Sequence, residues 1–260
     1  MANQKGNRYP IWTIEVDGTL LAYDAYAKKI VMSEAGFATD IGISVDGTVW
    51  VVSSEADPDG GGLKIYFSDG TKNWTEADGK GPGAIKVAGT LNGDCVIITA
   101  DFELFSLNQK KEYTKLDDDI FDINFGGDYY WALKPLKSGE IPVLQFSKSI
   151  SPTKWNVFEG NLSPTSISVD ASGNCWALLD GVPYHFKVDG KTKKAVIPGA
   201  SIDAIQISVK DYTNAILSAT DVTDKGNLFL QYNSSPTISP AYLPAAGIRA
   251  TSMVTTYYVP

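Results

Sequence analysis

Apolar and polar residues alternate along this chain in short runs, broken by Asp-Gly and Asn-Gly pairs. Residues 43–50 read Ile-Ser-Val-Asp-Gly-Thr-Val-Trp, and residues 167–176 read Ile-Ser-Val-Asp-Ala-Ser-Gly-Asn-Cys-Trp. Both are one pattern: an apolar alternation, an Asp/Gly turn, then an aromatic-bearing segment. A period of two puts Ile167 and Val169 on one face, as in a half-buried strand. The Asp/Gly pairs supply the positive φ that a tight hairpin needs. Fainter copies fall at 87–96 with Asn92-Gly93-Asp94, at 123–131 with Gly126-Gly127-Asp128, and at 207–216 with Lys210-Asp211. Residues 249–258 repeat the idea without the turn residues. The anchors Trp50, Val96, Trp131, Trp176, Ile216 and Tyr258 recur at roughly 40-residue spacing, the period of a unit of several short strands. No stretch has a convincing helical period; the Ala-containing segment 23–32 comes nearest and predicts no more than a short helical turn.

The clearest copy predicts four antiparallel strands, at 166–169, 174–179, 184–188 and 195–197, with turns at 170–173, Asp180-Gly181 and Asp189-Gly190. Repetition at this period predicts an all-β fold, a six-bladed β-propeller of four-stranded antiparallel blades, in a single domain over 1–260. Five units are continuous, at 38–82, 83–117, 118–163, 164–200 and 201–246. The sixth is split: 247–260 supply its inner strands and 9–37 its outer ones. Pairing the N- and C-terminal segments in one blade closes the ring and hides edges that would otherwise invite aggregation. Residues 11–16 fit either the second or the third strand of that blade. Insertions at 56–62, 136–142 and 221–226 are expected on one face, where ligand sites of repeat proteins gather.

Composition narrows the partners. The 260 residues carry a net charge of −8, and 43% of them are hydrophobic. An acidic surface repels phosphate backbones and anionic membranes, so neither nucleic acid nor membrane insertion is expected. The polar start and the absence of a long apolar run predict a chain made in the cytoplasm, or exported without a classical signal peptide. Asn73, Asn161 and Asn233 head glycosylation tripeptides that need no explanation beyond chance. The two cysteines, Cys95 and Cys175, each precede an anchor residue, Val96 and Trp176. They occupy one slot in two separated repeats, which predicts free, buried thiols rather than a bridge.

Catalytic motifs are scarce. The single histidine, His185, lies in a strand and reads as half-exposed. One His and two distant Cys cannot assemble a zinc site. There is no Gly-x-Ser-x-Gly elbow, phosphate loop or dinucleotide fingerprint, and no cofactor is expected. Paired carboxylates for glycoside chemistry are conceivable, but the spacing places no such pair. The Asp57 to Gly62 stretch offers hard oxygens for a cation, without the closing Glu of an EF-hand; a solvated loop is the plainer reading. The aromatics say more. Trp50, Trp131 and Trp176 share the second-strand slot, as expected of residues packing between blades. Trp74 and Trp155 open outer strands, where a Trp can either pack under the next blade or offer its face to a sugar ring.

Around Trp155 the residues resemble a known repeat. Trp155-Asn-Val-Phe-Glu-Gly-Asn-Leu, then Ser166-Ile-Ser-Val, Asn174-Cys-Trp and Tyr184-His-Phe are similar to one repeat of the tectonin family, and 74–87 and 41–66 carry further matches. The repeats ending at Val96, Ile216 and Tyr258 depart from it by lacking the second-strand Trp. The resemblance implies a six-bladed propeller of lectin type that binds surface glycans. It singles out Asp40, Asp46 and Trp74 in the first full blade and Trp155, Asp170 and Asn174 in the fourth as ligand contacts. Function therefore divides into three expectations. The first is a multivalent, non-enzymatic carbohydrate-binding protein. The second is a scaffold that binds protein partners through its loop face. The third is an enzyme with a pocket at the ring centre. Propellers host all three.

Overall fold

The computed structural model describes residues 11–15, 17–24, 29–34, 36–58, 61–71, 73–77, 81–90, 93–150, 154–195, 204–211, 214–219, 228–233, 239–241 and 248–253. In chain order the strands are β1 (Ile11–Glu15), β2 (Leu20–Asp24), β3 (Lys29–Glu34), β4 (Ala38–Ile43), β5 (Val49–Ala56), β6 (Leu63–Ser68), β7 (Thr75–Ala77), β8 (Lys86–Gly89), β9 (Cys95–Ile98), β10 (Leu104–Leu107), β11 (Tyr113–Asp117) and β12 (Asp122–Gly126). They continue as β13 (Tyr129–Lys134), β14 (Val143–Ser147), β15 (Asn156–Val157), β16 (Ser166–Val169), β17 (Cys175–Leu179), β18 (Val182–Phe186), β19 (Lys193–Ala195), β20 (Ala204–Asp211), β21 (Asn214–Ala219), β22 (Leu228–Asn233), β23 (Ser239–Ala241) and β24 (Ile248–Met253). No helix among the described residues is long and apolar enough to cross a membrane.

Among the described residues all sheets are antiparallel and four-stranded. Two compact units hold them, Met1–Asp118 with Ile248–Pro260, and Asp119–Gly247. The first contains the orders β24-β1-β2-β3, β4-β5-β6-β7 and β11-β10-β9-β8; the second contains the β12–β15, β16–β19 and β20–β23 meanders. Four sheets, β4–β7 through β16–β19, are described with nearly all their side chains, not the six that the repeat count predicts. In the other two it is mainly the backbone pairing that is described.

Each core lies between two neighbouring sheets of one unit. Trp12, Ile14, Leu20, Ile41 and Val51 form one. Trp50, Val52, Ile65, Val87 and Ile97 form a second, and Trp131, Phe146, Phe158, Ile167, Val169 and Phe186 a third. A sheet covered on both faces has no polar side, so the alternation fades in its middle: Val49 to Val52 are all buried, as expected for strands packed on both faces. Removing each such side chain from water contributes on the order of 2 kcal/mol. First strands lie beside first strands, β24 by β4 and β4 by β8, then β12 by β16 and β16 by β20. Approach is close enough that Gly42 has no room for a side chain: a Cβ there would sit 2.7 Å from the Gly89 nitrogen and 2.8 Å from the Ala88 Cα.

Two expectations change. The C-terminal segment supplies one strand to its sheet, β24, and β1 is the second strand, paired to β24 on one side and β2 on the other. Of segment 23–32, residues 23–24 lie in β2 and residues 29–32 in β3, paired from Leu20↔Glu34 to Asp24↔Lys29; residues 25–28, which hold its alanines, lie outside the described residues. His185 is 5% exposed, not half-exposed, for a reason that the candidate site makes plain. Both cysteines are free and buried, each the first residue of a second strand. Burial pushes both thiols up, with Asp94 and Asp170 adding to the effect, so neither is a ready nucleophile. The 221–226 insertion and residues 59–60 of the 56–62 insertion lie outside the described residues.

Candidate functional site

The repeated tryptophans explain most of the polar residues around them. In β5, Trp50 lies opposite Phe67, ring centroids 4.8 Å apart, and donates its Nε1–H to the Gly93 carbonyl of the next sheet's turn at 3.0 Å. In β13, Trp131 does the same, with Phe146 at 4.8 Å and the Gly173 carbonyl at 2.9 Å. The glycines hold positive φ, 79° and 80°, which is why a Gly stands there. Trp176 departs from this. Its opposite residue is His185, centroid distance 5.4 Å, in the slot that Phe67 and Phe146 fill elsewhere. Its Nε1–H goes to the Asp170 carboxylate of its own sheet, 3.3 Å from Oδ2, and His185 Nε2 lies 3.5 Å from the same oxygen. A histidine in an aromatic slot is thus buried beside a carboxylate.

Asp170 is 1% exposed, and its Oδ1 also accepts the backbone N–H of Ser172 at 2.9 Å and of Asn174 at 3.0 Å. Structure therefore brings Asp170 and Asn174 together, as parts of one turn. Asp40 is half-buried and accepts the Val87 N–H at 2.7 Å, tying β4 to β8. The same kind of tie recurs where Asn124 accepts the Val169 N–H, and where Ser166 and Ser168 accept those of Ile207 and Val209. Asp46 is exposed and accepts the Thr48 N–H at 2.9 Å, closing its turn. Trp155 is buried at 6%. Trp74 is half-buried, edge-on to Trp12 at 6.1 Å and 5.5 Å from Phe37, and its Nε1 has no partner among the described residues. Of the six expected ligand contacts, Asp46 is exposed and Asp40, Trp74 and Asn174 are half-buried, whereas Trp155 and Asp170 are buried. Asp40 and Asp170 spend their carboxylates on the protein's own N–H groups.

Beside Trp74 lies a polar cluster that the repeat pattern did not single out. Lys64 Nζ sits 3.3 Å from Glu55 and 3.4 Å from Glu76, and the Tyr66 hydroxyl donates toward both carboxylates at 3.4 and 3.3 Å. Glu55 above all raises the Lys64 ammonium, and burial followed by the two carboxylates raises the Tyr66 phenol. One ammonium faces two carboxylates, so the cluster stays acidic, and it holds no activated nucleophile. Among the described residues no group of three or more His, Cys, Asp or Glu could hold a metal ion.

A different surface stands out by hydrophobicity. Between β13 and β14, residues 135–142 read Pro-Leu-Lys-Ser-Gly-Glu-Ile-Pro. Leu136 is 48% and Ile141 75% exposed, and Val157 on the outer strand β15 is 39% exposed; these are the exposed large hydrophobics among the described residues. The buried Gln145 donates to the Lys134 carbonyl at 2.7 Å and anchors the loop's base. Ser138 donates toward Asp119 at 3.5 Å, and the Glu140 N–H reaches the Lys137 carbonyl at 3.1 Å. Sequence marks this loop as an insertion; its readable signal was two large apolar residues held between two prolines.

No family model matches the chain, and no curated protein matches it. Solved structures do resemble it. YCF48 bound to D1 peptide aligns over 90% of this chain and 77% of its own, at 14% identity and a TM-score of 0.52. Selenomethionine-substituted virginiamycin B lyase from Staphylococcus aureus aligns over 98% and 94%, at 14% identity and 0.55. U3-55K aligns over 93% and 80%, at 10% identity and 0.57. At such identities the likeness speaks for the fold alone. The chain is an all-β propeller of small antiparallel four-stranded sheets.

Proposed function

We propose that this chain is a non-enzymatic propeller scaffold that binds a protein partner through the apolar loop at 135–142. One observation carries the reading: Leu136 and Ile141 project into solvent from a loop that is tied at its base and bounded by prolines. Large apolar side chains on an otherwise acidic surface mark interaction sites, and a loop rigid before binding loses less entropy on docking. One structure of similar fold agrees in kind, described as YCF48 bound to D1 peptide. The tectonin likeness and its glycan ligand have less to draw on, because Asp40 and Asp170 are engaged within the protein. Asp46, Trp74 and Asn174 remain as the residues through which a sugar would bind.

In the same reading the whole chain is one domain, a ring of six blades closed by β24 beside β1. The succession of first strands within each unit supports it. Small-angle scattering fitted by a closed ring, against two separately moving units, tests that part.

The functional test is capture from a cell extract by the protein and by its Leu136→Ser/Ile141→Ser variant, with a glycan array run in parallel. A protein retained by the first and lost by the second is expected, with a blank array. Array hits abolished by Trp74→Ala would overturn the scaffold in favour of the lectin.

A further inference from the structure

We infer a second docking surface, a lysine-lined edge formed by the β12–β15 and β16–β19 sheets that takes an acidic peptide segment of a protein partner. It deepens the scaffold reading and rests on it. Alternate connections of an antiparallel meander leave from the same end. Residues 148–150 and 154–155 of the β14–β15 connection and residues 187–192 of the β18–β19 connection therefore leave from the same end. Just past β15, the Glu159 N–H bonds to the Gly190 carbonyl at 2.8 Å, and Gly190 faces the Phe146 ring.

Between residues 148 and 194 the chain carries six lysines and four acidic residues, one of them the buried Asp170, although the whole chain stands at −8. All six are exposed: Lys148, Lys154, Lys187, Lys191, Lys193 and Lys194. Among the described residues none of them pairs with a carboxylate, whereas Lys64 and Lys115 in the other unit each bridge two. Instead Lys148 lies over the Tyr129 ring at 5.2 Å and Lys193 over the Tyr184 ring at 4.2 Å. Asp189, inside the lysine turn, gives its carboxylate to the N–H groups of Lys191 and Thr192 and to the Thr192 hydroxyl. The exposed acids at this end are Asp128, Glu159 and Asp189 itself.

Positive charge in excess of the local carboxylates, on a chain that is acidic elsewhere, is complementary to a short anionic segment. The tyrosine faces beneath the lysines add apolar contact for aromatic residues of that segment. Length decides between anionic partners. Screening limits the patch's reach to about 8 Å at physiological salt. A duplex or a bilayer would extend past it onto the acidic remainder, while a peptide of about a dozen residues stays within it.

The test is fluorescence anisotropy with a labelled (Glu-Gly-Tyr)4 peptide, its (Gln-Gly-Tyr)4 counterpart, a dT12 oligonucleotide and phosphatidylserine vesicles. The Glu peptide should bind at least about tenfold tighter than the Gln peptide, and weaken about tenfold from ~50 to ~300 mM salt. Lys148→Gln/Lys154→Gln/Lys187→Gln/Lys191→Gln should abolish that binding, while Lys110→Gln/Lys111→Gln, on the turn before β11, leaves it intact. Equal binding of both peptides, equal loss in both variants, or preference for dT12 or vesicles would overturn the inference. If the Glu peptide fails while capture still depends on Leu136 and Ile141, the scaffold stands and only this surface falls.

Discussion

Replacing Asp170 separates a structural carboxylate from a ligand contact. Its two oxygens meet four groups: the Ser172 and Asn174 N–H groups at 2.9 and 3.0 Å, Trp176 Nε1 at 3.3 Å and His185 Nε2 at 3.5 Å. In Asp170→Ala the buried Trp176 N–H loses its acceptor, which costs about 2 kcal/mol. The Asn174 N–H, partly shielded, adds about 1 kcal/mol, and the Ser172 N–H turns to water at little cost. Relief of the carboxylate's own desolvation offsets part of this, and the emptied volume takes part back. The net is about 3 kcal/mol, or roughly 6–12 °C in Tm for a chain of this size. Asp46→Ala, at the corresponding turn, removes one bond from an exposed group and should cost about 0.5 kcal/mol. Asp170→Asn should fall between: the amide still accepts from the turn, but its NH2 faces the Trp176 N–H. Thermal unfolding followed by near-UV circular dichroism at one scan rate reads all three. Equal Tm values for Asp170→Ala and Asp46→Ala would refute the reasoning and return Asp170 to the candidate ligand contacts.

Other outcomes follow from single geometric facts. Gly42→Ala forces a Cβ onto the Gly89 and Ala88 backbone and should lose about 2–3 kcal/mol in urea unfolding. Gly139→Ala, with open space but φ of 85°, should lose only about 1 kcal/mol. Asp189 is held down to about 2, chiefly by the Thr192 hydroxyl and then by the Thr192 and Lys191 N–H groups. A depressed carboxyl stabilises the fold above its unfolded value and loses that contribution as pH falls from about 4 to about 2. Thr192→Val should raise the NMR-titrated value and move that loss to higher pH. Leu136→Ser/Ile141→Ser should shift Tm by less than about 1 °C, since neither side chain is in the core; a larger loss would mean that the loop packs against the protein.

Local chemistry made much of the fold legible. The Asp170 to Gly173 turn is readable because its hydrogen bonds close within four residues, and the second-strand Trp slot is readable because it repeats. The roles of the polar residues were not. Asp40 bonds Val87, 47 positions away, and nothing in the alternation tells a carboxylate that ties two sheets from one that faces water. His185 follows the same pattern as an exposed strand residue; only its register opposite Trp176 buries it. Trp74 and Trp155 open outer strands alike, yet Trp155 is covered while Trp74 keeps part of its face, because tertiary neighbours decide. The pairing of β24 with β1 joins opposite ends of the chain and was inferred from the need to close edges rather than from any residue.

The scaffold reading is tested most directly by placing a photoreactive phenylalanine analogue at Ile141 and irradiating the protein in a cell extract. The account predicts one dominant protein adduct from that position, absent when the analogue stands at Lys111. Adducts of equal pattern from both positions, or none from Ile141, would contradict it.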